Sequence, residues 1–317
     1  MENNKNITNN DIVKKYIYDN SFEKKDFEYY ITNEFVQKKI SNNLTEEKYD
    51  YKNYKDDDPW DNAINDNKFY IYNKIARIFP PMKNYSNYSK IKIDDDSFSY
   101  ITIREIADIT SKIICYHLLE YNLNPQKIIL VDYTSGVGGN VLSFSKYFLY
   151  IHAIEISKER SEFLQSNIEL YGYKNIQVHN TCAISFNNTK INGNNSELMC
   201  INPNVVYIDP PWGGISYKNS DNLLLSLGEI PLEELVLNIC KQFSDYYKEI
   251  ILNNPKEKKN NYNNKFIILK LPKNYNIEHV YYYLKKNNNF DNFFINSYLY
   301  ILNKMLILVC KLTFISS

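Results

Sequence analysis

Two short stretches of this chain carry residues whose types and spacing could do chemistry. The first runs from Ile128 to Asn140: a β-branched apolar run ends in Asp132, and Gly136, Gly138 and Gly139 follow at once. Three of the chain's 8 glycines therefore sit between an expected strand and an expected helix, where the backbone must turn sharply and a ligand can approach without side chains in the way. Their spacing is G-x-G-G, so the dinucleotide fingerprint G-x-G-x-x-G is not met. A second acid, Glu155, ends the next apolar run 23 residues after Asp132, where a carboxylate could take two ribose hydroxyls. The second stretch is Asp209-Pro210-Pro211-Trp212-Gly213-Gly214. Consecutive prolines lock an extended turn, turning the carbonyls of Asp209 and Pro210 outward with Trp212 beside them. Such a turn suits methylation of an exocyclic amine on a base. The two amine hydrogens need acceptors, the lone pair must be aimed, and the ring must be held flat by stacking.

The elements that position these residues follow from the alternation of apolar runs. Strands are expected at Ile128–Tyr133, Ile151–Ile156, Ile176–His179, Val205–Ile208 and Phe266–Leu271. Helices are expected between them near Val141–Tyr147, Lys158–Tyr171, Leu232–Tyr246 and Ile277–Lys286, which is the pattern of parallel βαβ units. The runs Phe293–Tyr300 and Met305–Leu312 are joined by too few residues for a helix and must pair antiparallel. A mostly parallel, seven-stranded α/β sheet ending in an antiparallel hairpin is the layout of a class I methyltransferase, a Rossmann-like fold.

Ahead of this domain (126–317), residues 66–125 read as a small helical extension. One helix is expected over Lys68–Phe79, stopped by Pro80-Pro81, and another from Thr102 to about Glu120 with the Thr102 hydroxyl capping the amide of Glu105. Residues 1–65 read as a low-complexity tail, with a thin apolar stripe from Phe27 to Leu44 that could fold as a helix and with Trp60 as a docking residue. The Asn-rich stretches Asn187–Asn195 and Asn253–Asn264 read as surface insertions.

Composition bounds the rest. Asn, Lys, Ile and Tyr dominate, as A/T-rich codons would produce, so a Gly or one of the 2 Trp is more informative than an Asn or Lys. The balance of 37 basic and 37 acidic residues argues against a protein gripping long duplex through its phosphates, while a short or terminal nucleic-acid ligand fits. The 5 cysteines have no C-x-x-C pairing, which speaks for a reducing compartment and against a zinc site. No signal-type leader and no bilayer-length apolar run is seen. A soluble intracellular monomer with no metal and no membrane partner is expected.

Taken together, the stretch from about Lys68 to the end resembles the trimethylguanosine synthase family, which methylates the exocyclic N2 of a 7-methylguanosine RNA cap. The resemblance is carried by Asp132 to Asn140, Ala153-Ile154-Glu155, Asn167 with Tyr171-Gly172, Pro210 to Gly214 with Tyr217, Leu271-Pro272-Lys273-Asn274 with Ile277, and Leu302-Asn303-Lys304. Ile91 to Asp94 and Thr102 resemble the family's helical extension. The resemblance implies S-adenosyl-L-methionine as cofactor, held by Asp132, Thr134, Gly136, Gly138, Gly139, Asn140 and Glu155. It implies a capped RNA as partner, Asp209 and Pro210 as the catalytic pair, Trp212 stacked on the cationic base, Asn167 on the guanine edge, Tyr217 and Lys273 on the cap phosphates, and Thr102 in the substrate site.

The chain departs from that family in having Asp209 where Ser is usual and Lys273 where Arg is usual. It also has no acid in Asn180-Thr181-Cys182-Ala183, and it has Tyr100-Ile101-Thr102-Ile103-Arg104 for the Ser-x-Thr-Pro-Glu pattern. Two other readings stay open: an exocyclic-amine methyltransferase on an internal RNA or DNA base, favoured by Asp209, and a non-catalytic cap-binding accessory subunit, favoured by the lost acid near Cys182.

Overall fold

The computed structural model describes residues 13–18, 24–31, 67–188, 190–191, 195–253, 264–287, 293–302 and 305–314. The strands are β1 (Val13–Tyr18), β2 (Lys24–Ile31), β3 (Ile129–Asp132), β4 (Tyr150–Glu155), β5 (Ile176–Asn180), the short β6 (Lys190–Ile191) and β7 (Asn195–Ser196), and β8 (Val205–Ile208). The short β9 (Ser226–Leu227) and β10 (Ile230–Pro231) follow, then β11 (Asn264–Pro272), β12 (Phe293–Ile301) and β13 (Met305–Phe314). The helices are α1 (Asn67–Ile78), α2 (Asp95–Tyr100), α3 (Arg104–Glu120), α4 (Val141–Phe144), α5 (Lys158–Tyr171), α6 (Ala183–Asn188), α7 (Glu197–Ile201), α8 (Leu232–Asn253) and α9 (Ile277–Asn287).

One sheet in the order β2-β1-β12-β13-β11-β8-β3-β4-β5 forms the centre. From β11 to β5 the neighbours are parallel, and β13 is antiparallel to both β11 and β12. This is the expected seven-stranded methyltransferase sheet.

Two further strands extend it, and they come from the segment expected to be a tail. β1 pairs antiparallel with β12, and β2 with β1. The helix expected from Phe27 therefore begins as strand, in keeping with the aromatic and β-branched content of Phe27, Tyr29, Tyr30 and Ile31. The rest of 1–65, with Trp60, lies outside the described residues, as do 254–263 of the second Asn-rich insertion.

Alternation along the strands divides the apolar side chains into two cores. Leu130, Val205, Tyr207, Phe266 and Ile268 pack with Ile113, Leu118, Leu164 and Ile168 on one face of the sheet. Val131, Val206, Ile208, Ile267 and Leu269 pack with Leu235, Val236, Val280 and Leu284 on the other. Buried on both faces, β8 is fully enclosed along its whole length, which is why it reads as unbroken Val-Val-Tyr-Ile.

Local signals fix several helix ends. Ser157 caps α5 by accepting from the Arg160 amide at 3.3 Å, and Gly172 ends that helix at φ 73°, a left-handed conformation that favours glycine. Asp94 caps α2 through the Ser97 amide at 3.0 Å and receives the Arg160 guanidinium at 3.1 and 3.2 Å, so one carboxylate joins α2 to α5. Burial alone would raise the Asp94 carboxyl, but hydrogen bonds from Arg160 and Ser97 outweigh it and hold it at about 2.

The Thr102 cap is corrected. Helix α3 starts at Arg104 with Ile103 at its N-cap and no side-chain cap bond, because the Thr102 hydroxyl is drawn into tertiary contacts instead.

Candidate active site

After β5 the chain crosses to the opposite side of β3 to lay down β8, so strand order reverses between β3 and β8. In open α/β sheets a crevice opens outside the carboxyl ends of the strands at such a reversal. Asp132 is the last residue of β3 and Asp209 the first after β8, so both acids stand there.

Asp132 is fully buried. Its Oδ1 accepts from the Thr134 amide at 2.9 Å, while Oδ2 is buried with no hydrogen-bond partner. Burial, with the Asp209 and Glu155 charges adding to it, pushes this carboxyl up to about 8. An acceptor left bare at this depth is a place for a cationic donor.

The Thr134 hydroxyl donates to Asp132 Oδ1 at 3.4 Å, and its Oγ1 accepts from the Asp209 amide at 2.8 Å. It thus ties the glycine loop to the Pro-Pro-Trp turn.

The glycines behave as their spacing suggests. Gly136 at φ 53° and Gly138 at φ 110° take left-handed backbone. Gly139 is required for a steric reason: a Cβ there would come within 2.7 Å of Ile101 Cγ1 and 3.1 Å of the Thr102 carbonyl oxygen. The extension therefore lies directly on the loop. Glu155 accepts the Gly136 amide on Oε2 at 2.9 Å and the Ser157 amide on Oε1 at 2.8 Å. Each oxygen keeps a lone pair for a further donor.

Asn140 is buried, donates from Nδ2 to Thr102 Oγ1 at 3.1 Å, and leaves Oδ1 without a partner.

The turn after β8 is met by a residue that the sequence reading passed over. Lys270 on β11, 3% exposed, places Nζ 2.6 Å from Asp209 Oδ2, 2.8 Å from Thr102 Oγ1 and 5.1 Å from the centroid of the Trp212 ring. Strand register explains the meeting: β11 and β8 pair Phe266 with Val205 and Ile268 with Tyr207, and one more step of two brings Lys270 beside Asp209. The available signal was a single charge inside the apolar run Phe266–Leu271.

Trp212 is half-buried, with Nε1 enclosed and unpartnered, and its ring meets Tyr217 edge-on at 5.3 Å and 76°. Asn274, to which no role was assigned, holds the turn carrying Tyr217 by donating from Nδ2 to the carbonyls of Tyr217 at 2.7 Å and Ser220 at 2.5 Å. Pro210 is buried, and Lys273 is exposed immediately before Asn274.

One expected substrate residue is not in the crevice. Asn167 is completely buried on α5; its Oδ1 accepts from the Lys92 amide at 2.8 Å, and its Nδ2 donates to the carbonyls of Lys92 at 2.8 Å and Val137 at 3.0 Å. Both amide hydrogens are in use and the side chain has no path to a guanine edge, so the reading of Asn167 as a base contact is corrected to a brace between the extension and the glycine loop.

The profile of the RNA cap guanine-N2 methyltransferase family matches residues 127–300, which is more than half of the chain and contains both acids, the glycine loop and the Pro-Pro-Trp turn. The chain belongs to that family. It is 33% identical over 220 residues to the uncharacterized protein L320 of Acanthamoeba polyphaga mimivirus, an alignment covering 64% of this chain and 75% of that one. It is 27% identical over 131 residues to the trimethylguanosine synthase of Schizosaccharomyces pombe, covering 40% of this chain and 48% of the synthase, so it spans about half of that relative's length. Among solved structures it resembles magnesium protoporphyrin IX methyltransferase from Synechocystis with bound S-adenosylmethionine, at 11% identity and TM-score 0.39 over 77% of this chain and 91% of that one.

Family and fold make the chain an S-adenosylmethionine-dependent methyltransferase with a Rossmann-like sheet. Among the described residues no helix is long and apolar enough to cross a membrane, and no group of three His, Cys, Asp or Glu side chains could hold a metal ion.

Proposed function

We propose that this chain transfers a methyl group from S-adenosylmethionine to the exocyclic N2 of a 7-methylguanosine RNA cap. The observation that carries the reading is the pairing, across the β3/β8 crevice, of an orphaned buried carboxylate oxygen on Asp132 with an amine-accepting turn, Asp209 to Trp212.

The residues fit the cofactor. Asp132 Oδ2 offers an acceptor to an ammonium group, Glu155 keeps two lone pairs beside Gly136 for ribose hydroxyls, and Gly136 leaves open space where a side chain would begin. When bound, S-adenosylmethionine supplies an electrophilic methyl carbon.

The chain's own residues do the rest. Trp212 stacks on the base, and a formally cationic 7-methylguanine gains about 1 to 2 kcal/mol over plain stacking when desolvated. Asp209, with Oδ2 already engaged by Lys270, has Oδ1 for an amine hydrogen, and the Pro210 carbonyl is the second acceptor. An exocyclic amine is a poor base whose nitrogen gains positive charge as the bond forms, so acceptors placed on its hydrogens matter most in the transition state. Tyr217 and Lys273, at the rim of the turn, face the cap phosphates. Thr102 contributes from the extension side by holding Asp209 Oδ2 at 3.4 Å.

A second reading is favoured by one feature. A carboxylate at position 209 accepts from an amine more strongly than the Ser usual in the resembling family, which would suit an internal base of RNA or DNA.

The test is incubation with labelled S-adenosylmethionine and either 7-methylguanosine or unmethylated guanosine cap analogue. Label is expected only on the methylated analogue, and Trp212→Ala is expected to raise its KM about tenfold or more. Equal turnover of both analogues would transfer the assignment to the internal-base reading.

A further inference from the structure

Three carboxylates, Asp132 at the end of β3, Glu155 at the end of β4 and Asp209 after β8, share this crevice with the buried hydroxyl of Tyr207 on β8. Lys270 enters from β11 as the cation that pairs with Asp209. Its contacts are with Asp209, Thr102 and Trp212.

We propose that Lys270 is a positioning residue for methyl transfer, pinning Asp209 with Oδ2 turned inward and Oδ1 left for the target amine, and seating Trp212 for the base. This rests on the reading of Asp209 and Trp212 as the residues that meet the amine and its ring.

The geometry gives the ammonium a reason to be there. The Asp209 side chain is only 15% exposed, so without the ammonium its carboxylate would be left largely buried and unpaired, and it would turn toward water, away from the crevice. An ammonium is a compact charge with three donors. One goes to the Asp209 carboxylate and one to the Thr102 hydroxyl, and the Trp212 ring lies within cation–π range.

Thr102 is itself the acceptor for Asn140 Nδ2. Lys270 thereby joins the extension, the glycine loop and the turn in one buried polar chain. A buried ion pair is weak evidence for net stability, so a pair held at this point in the crevice is better accounted for by the placement of its carboxylate.

Four proteins decide the matter: wild type, Lys270→Met, Lys270→Arg and the double variant Asp209→Ser with Lys270→Met. Each is assayed with the 7-methylguanosine cap analogue and with total RNA as a second acceptor, and S-adenosylhomocysteine affinity is measured by calorimetry. Lys270→Met is expected to lower kcat about 30- to 100-fold, the scale of one lost electrostatic partner, with KM changed less than about fivefold and S-adenosylhomocysteine affinity within about twofold. Lys270→Arg is expected to recover part of kcat. The double variant is expected to turn over about tenfold faster than Lys270→Met alone, because removing the uncompensated carboxylate removes its recoil. A purely structural lysine would show no such recovery.

Wild-type kcat in Lys270→Met, or a double variant no faster than the single one, overturns the inference. If wild type methylates RNA but not the cap analogue, the cap reading fails while the comparison of variants is read on RNA. If it methylates neither, both fall.

Discussion

Asn167 and Lys92 pair as though they were strand neighbours: the Asn167 side-chain amide accepts the Lys92 N–H and donates to the Lys92 carbonyl, both at 2.8 Å. With its third bond to Val137 at 3.0 Å, this one side chain replaces the backbone ladder that would otherwise be needed to dock the extension on the glycine loop. Replacing Asn167 with Leu would take the side-chain partner from three backbone groups, the buried Val137 carbonyl and the part-buried N–H and carbonyl of Lys92, a loss of about 2 to 4 kcal/mol. Urea unfolding should show it as a lower midpoint, and selectivity between methylated and unmethylated cap among the surviving folded molecules should be unchanged. Lost selectivity with an unchanged midpoint would restore Asn167 to the substrate site.

Gly139 tests the same docking from the other side. The Cβ of Gly139→Ala would meet Ile101 at 2.7 Å and the Thr102 carbonyl at 3.1 Å, and the carbonyl is backbone that cannot swing away. A destabilisation of about 1 to 3 kcal/mol is expected. Adding Ile101→Ala should return only part of it in thermal unfolding, since the contact with Thr102 remains. Full recovery would mean the side chain alone set the fit.

Asp132 makes stability depend on pH in an unusual direction. In the folded protein burial holds its carboxyl at about 8, whereas in the unfolded chain it ionises near ~3.9. Between those values the folded state binds more protons than the unfolded one, so this stabilisation is complete below the lower value and is lost as pH rises through the upper one. From pH 6 to pH 8 the ligand-free protein should lose roughly 2 kcal/mol through this group. Urea midpoints at the two pH values read the loss directly, and Asp132→Asn, which cannot titrate, should flatten the difference. An equal slope in wild type and variant would place the titration elsewhere.

Glu155 has two tasks, and its variants separate them. Glu155→Ala removes the ribose acceptor of the proposed function and also frees the Gly136 and Ser157 amides that it now holds at 2.9 and 2.8 Å. S-adenosylhomocysteine binding should weaken by about 1.5 to 3 kcal/mol, the range for hydrogen bonds to a charged group. Glu155→Gln keeps one acceptor oxygen and should fall between wild type and Ala in calorimetry. Unchanged affinity in Glu155→Ala would show that the ribose is held by other groups.

Much of this protein is determined by its sequence alone, and the reason is local. The alternation of apolar runs and helical stretches from Ile128 to Leu312 specifies the parallel sheet and its closing hairpin, because period and turn chemistry act over a few residues. The glycine loop and the Pro-Pro-Trp turn are likewise legible, since Gly136 and Gly138 permit the positive φ that a sharp turn takes and Pro210 and Pro211 fix φ wherever they stand. What only the tertiary structure decided are the meetings between distant segments. Lys270 pairs with Asp209 because β11 lies beside β8 in one particular register, and a slip of one residue would have turned the ammonium to the other face. Thr102 reads as a helix cap until Lys270 and Asn140 compete for its hydroxyl. Asn167 reads as a base contact until the backbone of Lys92 folds onto it. In each case a polar side chain had several partners open to it in sequence, and burial in one crowded place decided which of them it meets.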